Sequence, residues 1–152
     1  MNKLTYFIDT GKGDFEPFYE YKIPEVGADE IYARQLCTYF IMKGIQYELV
    51  SNEMSEDEEI LVLKQVGNSE SSVDEQFYRG KGLHLEFRRY SERERYRLLT
   101  SRPVETHFDI IRYLIKDVVD VPELGQMEVT STEIDEDRAV YVIYVKNIGE
   151  RG

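Results

Sequence analysis

Two nineteen-residue stretches decide how this chain is read: residues 48–66, ELVSNEMSEDEEILVLKQV, and residues 128–146, EVTSTEIDEDRAVYVIYVK. An offset of 80 lays one on the other without a gap, with six positions identical: Glu48/Glu128, Ser51/Ser131, Glu53/Glu133, Glu56/Glu136, Asp57/Asp137 and Val62/Val142. Four further pairs exchange one aliphatic side chain for another, Leu49/Val129, Met54/Ile134, Ile60/Val140 and Leu63/Ile143. Within each stretch, alternating apolar and polar residues lead into an acidic turn and out into an apolar run. That is the pattern of a hairpin with one buried face. Self-similarity at a fixed offset marks a repeated structural unit. Convergence of two acid-turned hairpins on one composition is the competing explanation.

Working outward, residues 4–9 read as a short strand, and residues 10–28 as a long loop broken by Gly11, Gly13, Pro17, Pro24 and Gly27. That loop carries Phe15, Phe18, Tyr19 and Tyr21, too aromatic for a solvated linker, and is expected to pack down or to bind something. Asp29 is the expected N-cap of a first helix. Its stripe of Ala33, Leu36, Cys37, Phe40 and Ile41 would end at Gly44. Leu83, Leu85 and Phe87 alternate with polar residues, predicting a strand that returns over residues 96–101. One long helix over the same residues is the alternative reading. Residues 103–120 predict a second amphipathic helix through Phe108, Ile111, Ile115, Val118 and Val119, stopped at Val121-Pro122. Residues 127–134 and 139–145 predict a closing hairpin.

The expected fold is therefore α+β: a mostly antiparallel sheet with two amphipathic helices on one face. The whole chain, 1–152, is one domain, with tandem strand–helix–strand–strand halves at 4–66 and 95–147 and an insertion at 67–94. In topology two such units resemble gyrase-inhibitor-like effector-binding domains, which pair them around an aromatic, acidic pocket.

Composition narrows the function. Thirty acids against nineteen bases give a net charge of −11, which repels nucleic acid and anionic lipid. The longest apolar run, residues 139–145, is far short of a membrane span. Residues 1–10 do not read as a secretory signal, and a single cysteine, Cys37, suits a reducing cytoplasm. The two histidines, His84 and His107, have no metal-ligand spacing, so neither metal nor cofactor is expected.

Two local signals point elsewhere. Arg79-Gly80-Lys81-Gly82-Leu83 resembles the acyl-CoA-binding turn of the N-acetyltransferase superfamily. That resemblance implies a helix opening after Gly82 whose amides hold a pyrophosphate. Residues 79–102 also hold a basic strip, Arg79, Lys81, Arg88, Arg89, Arg93, Arg95, Arg97 and Arg102, with a local balance of +5 against −16 elsewhere. Interleaved aromatics would let it stack RNA bases. Pairing with the protein's own acids is the favoured use.

The sequence holds twelve tyrosines, seven phenylalanines and no tryptophan. Aromatic surfaces of that kind suit recognition. Candidate ligand-binding residues are Phe18, Tyr19, Tyr21, Tyr32, Tyr39 and Tyr113. The expected role is a non-catalytic cytoplasmic binding or regulatory module, with no catalytic residues. Its partner would be a small molecule or a protein, including a second copy of the chain. An acyl-CoA-dependent acetyltransferase and an RNA or polyanion binder are the alternatives.

Overall fold

The structure is a computed structural model and describes residues 3–23, 25–69 and 74–150. It is a mostly-sheet α+β protein, one ten-stranded mixed sheet with two short helices. In chain order the first six elements are β1 (Lys3–Asp9), β2 (Phe15–Lys22), α1 (Ala28–Arg34), β3 (Tyr39–Met42), β4 (Ile45–Ser55) and β5 (Glu58–Asn68). The next six are β6 (His84–Arg89), β7 (Leu98–Pro103), α2 (His107–Leu114), β8 (Val118–Val121), β9 (Gly125–Asp135) and β10 (Val140–Lys146). The sheet order is β2-β1-β5-β4-β3-β9-β10-β6-β7, with β8 added alongside β9. Three contacts are parallel, β1 with β5, β10 with β6 and β3 with β9; the rest are antiparallel.

Several expected boundaries are corrected. Residues 15–22 form an edge strand rather than part of a loop. Pro17 is accommodated because it lies at a bulge, where Tyr6 pairs Tyr19 but Phe7 pairs Pro17. The first helix ends at Arg34, its N-cap is Gly27 rather than Asp29, and residues 39–42 leave it as a strand. Lys43-Gly44 decides this: at φ 53° and 74° they make the two-residue turn that folds β3 onto β4. The second helix is likewise shorter than residues 103–120, and Val118–Val121 is a strand. Residues 84–89 and 98–103 form the hairpin, not one helix. The region 67–94, expected as an insertion, contains the end of β5 and all of β6, which lies beside β10 as β1 lies beside β5.

The two quoted stretches fall on β4–β5 and β9–β10. Each hairpin has a bulge in its first strand, at residue 50 in one and residue 130 in the other. Their turns differ. Ser55 pairs Glu58, a two-residue turn through Glu56-Asp57, whereas Asp135 pairs Val140 across four residues. The longer turn frees Glu136 from the strand end, and Glu136 becomes a central residue of the site below.

One core holds the layers together. Tyr6, Phe40, Leu61, Leu63, Phe87, Tyr141 and Ile143 from the sheet meet Ile31 and Ala33 of α1 and Ile110 and Leu114 of α2. The helices also touch each other. On the opposite side of β10, Val140 and Val142 are covered by Tyr78 from the segment 74–83. Beneath Tyr78 lies a buried polar layer of Glu86, Arg88, Arg138 and Asp135.

The start of α2 is fixed by a reciprocal cap. Thr106 Oγ1 accepts from the Asp109 amide at 3.2 Å, and Asp109 Oδ2 accepts from the Thr106 amide at 3.2 Å. Thr106→Ala is expected to cost about 1 kcal/mol in urea unfolding, with Thr106→Ser close to wild type. An alanine variant as stable as the parent would show that packing alone places α2.

Candidate functional site

Aromatic and charged side chains gather in a groove of about 430 Å³. Three elements build it. The edge strand β2 supplies Phe18, Tyr19 and Tyr21; α1 supplies Glu30 and Arg34; the β9–β10 turn supplies Glu136 and Asp137. Lys43 reaches it from the β3–β4 turn, Arg79 from the covering segment, and His107 from the first position of α2.

Its floor is an ion pair. Arg34 Nε and Nη2 donate to the two oxygens of Glu136 at 3.0 and 3.1 Å, a side-on fork that fixes both planes. Tyr6 and Tyr21 hydroxyls donate to Glu136 Oε2 at 3.0 and 2.6 Å, and the Arg34 guanidinium lies 4.4 Å from the Tyr21 ring centre. Burial would raise the Glu136 carboxyl, but the guanidinium and the two hydroxyls hold it below the usual range. Burial also pushes the Tyr21 and Tyr141 phenols far up, so both stay neutral: Tyr21 donates to Glu136, and the Tyr141 hydroxyl oxygen accepts from Arg34 Nη1 at 3.4 Å. Arg34 also donates to the Glu30 carbonyl, at 3.2 Å, so the floor is a satisfied, rigid platform.

Polarity varies along the groove. At one end the Lys43 backbone amide and the Arg79 guanidinium both bond to residue 137. The Lys43 and Gly44 amides donate to the Asp137 carboxylate at 2.7 and 2.8 Å, and Arg79 Nη2 donates to the carbonyls of Glu136 and Asp137 at 3.2 Å each. Neither cation has a carboxylate partner within 4.0 Å among the described residues. At the other end His107 Nε2 and Arg34 Nη1 each lie 3.7 Å from Glu30 Oε1. Burial depresses the His107 pKa, so the ring is predominantly neutral at pH 7. No serine, threonine or cysteine lines the groove among the described residues. Cys37 is enclosed in the core, where burial pushes its thiol up. The arrangement is equipped to bind and orient.

The structure distributes the sequence-stated candidates unevenly. Phe18, Tyr19 and Tyr21 meet in the groove, and Tyr19 is 54% exposed, with its ring centre 4.9 Å from that of Tyr21. Tyr32 is exposed on α1 outside it. Tyr39 precedes Phe40 on β3 and so faces the other side of the sheet, where it lines a separate hollow with Tyr90 and Ser131. Tyr113 packs edge-on against Phe87. Of the basic strip, Arg88 is buried against Glu86 and Asp74, Arg89 pairs with Glu94 and Glu150, and Arg97 pairs with Glu94. Lys81, Arg93 and Arg95 are exposed. After Gly82 the chain enters β6, not the helix that the acyl-CoA turn requires. No family model, no curated protein and no solved structure matches the chain.

Glu136, Arg34, Lys43, His107 and Glu30 were not singled out from the sequence. The Glu136-Asp137 pair repeats Glu56-Asp57, which stays in a tight turn, so nothing local separates their fates. No helix among the described residues is long and apolar enough to cross a membrane.

Proposed function

We propose that this protein is a non-catalytic, cytoplasmic binding module that takes a small amphipathic molecule in the groove between β2, α1 and the β9–β10 turn. The observation that carries the reading is the contrast between floor and rim. The Arg34–Glu136 pair is saturated by its own neighbours, while aromatic faces and two cations above it are left open. Pockets with apolar walls and few fixed polar groups are the usual form of small-molecule sites, and this volume lies in their range.

The same reading treats the chain as a tandem duplication, with units β1–β5 and β6–β10 each built as strand, strand, helix and three strands. The offset of 80 and the matching bulges at residues 50 and 130 support it. The groove then draws on both units, Tyr21, Arg34 and Lys43 from one and His107, Glu136 and Tyr141 from the other. A broken symmetry, the longer turn at residue 136, brings Glu136 into the groove. Intramolecular pairing of Arg88, Arg89 and Arg97 counts against the RNA reading.

Amide NMR shifts with 4-hydroxyphenylacetate, phenylacetamide and tyramine provide the test. At least one of these aromatic probes is expected to shift the signals of Tyr19, Tyr21, Lys43 and Asp137, and Tyr21→Ala to abolish the effect. Silence from all three at millimolar concentration, or shifts confined to other surfaces, would remove the groove as the site.

A further inference from the structure

We infer that the groove's ligand is a flat aromatic monocarboxylate with a hydrogen-bond donor at its far end, its carboxylate between Lys43 and Arg79 and its donor at Glu30. This assignment rests on the groove being the binding site.

Three observations fix the chemistry. First, the cationic end is built rather than incidental. Lys43 is placed by its own amide on the Asp137 carboxylate, with its Nζ 5.6 Å from the Phe18 ring centre. Arg79 is clamped by two carbonyls through a single nitrogen, Nη2, which leaves the donors on Nε and Nη1 to a ligand. Two backbone amides occupy the Asp137 carboxylate and orient it toward the turn. In a protein of net charge −11, two groove-lining cations without a carboxylate partner among the described residues form a local site for one negative charge. A monoanion suits this site better than a dianion, because each added negative charge is repelled by the net charge of −11.

Second, the walls are ring faces. Phe18 is tilted against Tyr47, and Tyr19 against Tyr21, while Met42 and Leu83 complete the lining. Aromatic rings stack on such surfaces with a specificity that alkyl chains lack.

Third, the far end has acceptor capacity to spare. Glu30 Oε1 lies 3.7 Å from Arg34 Nη1 and 3.7 Å from His107 Nε2, beyond hydrogen-bond length to either. A phenolic hydroxyl or an aromatic amine reaching that oxygen makes the bond that neither neighbour makes. The capped first turn of α2 holds His107 beside it, so the end of the groove does not need to rearrange.

Calorimetric titration with four related compounds separates the claims: 4-hydroxyphenylacetate, its neutral amide, phenylacetate, which lacks the donor, and the cation tyramine. The hydroxy acid is expected to bind tightest, and to weaken as salt rises. Lys43→Gln and Arg79→Gln are each expected to weaken it roughly fivefold, the scale of a solvent-exposed ion pair, and to leave the amide unchanged. Glu30→Gln is expected to weaken the hydroxy acid but not phenylacetate. Both cations are exposed, so their variants fold as the parent does. Equal affinity for acid and amide, or tighter binding of tyramine, would overturn the ligand class while leaving the groove as a site. No binding by any of the four, with no amide shifts at Tyr21 or Lys43, would remove the groove reading and this inference together.

Discussion

Arg138→Ala is expected to destabilise the protein by about 3–5 kcal/mol, the usual result of removing one partner from a buried ion pair. Arg138 Nη1 and Nη2 donate to the two oxygens of Glu86 at 2.8 and 2.9 Å, and Nε donates to Asp135 Oδ2 at 2.8 Å. The side chains of Glu86 and Asp135 are 0% and 3% exposed, so no water replaces the lost donors. Burial works to raise the Glu86 carboxyl, and it lies below its ordinary range because Arg138 and Arg88 outweigh that. With Arg138 gone, Glu86 keeps Arg88 and Tyr78, whereas Asp135 loses its side-chain cation altogether. Urea unfolding at pH 7 measures the loss. A second variant, Arg138→Ala with Asp135→Asn, is expected to recover part of it, because the buried carboxylate left without a cation is then absent. A single-variant loss under about 1 kcal/mol would mean that the layer beneath Tyr78 admits water. The effect reaches the groove as well. Arg138 Nη1 donates to the Gln76 carbonyl at 3.0 Å, and the Tyr78 amide donates to the Arg138 carbonyl at 2.9 Å. These bonds hold down the segment that carries Arg79.

The hairpins were legible because their signal is local. Alternation over residues 47–54, seven apolar residues at 139–145 and acidic turns between them leave little choice of structure or register. The helices were overextended for an equally physical reason. A seven-residue helix followed by the four-residue strand Tyr39–Met42 places apolar side chains at spacings that also satisfy a helical stripe. Only Lys43-Gly44, as a hairpin turn, separates the two, and lysine at positive φ is not a residue that announces one. The misassigned period carried the site with it. Tyr39 reads as flanking a helix face, yet in a strand it turns away from Phe40 and leaves the groove side. By contrast, Phe18, Tyr19 and Tyr21 stand out by composition alone, whatever structure they adopt. The floor of the groove is invisible at that level. Arg34 meets Glu136 across 102 residues, and a contact of that span depends on β3 pairing with β9.

Glu133→Gln is expected to flatten the pH dependence of stability and to stabilise the protein at alkaline pH. Glu133 repeats Glu53 at the 80-residue offset, but Glu53 is exposed and Glu133 is enclosed. Burial first, and the nearby Asp135 carboxylate second, push its pKa up to about 8, against the pull of Tyr144, Arg138 and Arg88. The Tyr144 hydroxyl donates to Oε2 at 3.1 Å, while Oε1 has no partner among the described residues. The folded chain therefore holds this proton more tightly than the unfolded chain. Its contribution is most favourable below the unfolded pKa of about 4.5 and is lost as pH rises toward about 8. Between those limits the linkage amounts to roughly 5 kcal/mol for this one group. Glutamine keeps the shape and the acceptor for Tyr144 but carries no charge to desolvate. The variant is expected to gain little at pH 5 and most of that amount at pH 9, read from urea unfolding at pH 5, 7 and 9. Other carboxylates act in the opposite sense: Glu86 and Glu136 have depressed pKa values, so their contribution is lost as pH falls. The parent should be most stable between the two regimes, with the variant's optimum displaced upward. Parallel curves for parent and variant would show that Glu133 titrates as an ordinary carboxylate and that the sheet face beneath Tyr144 is open to solvent.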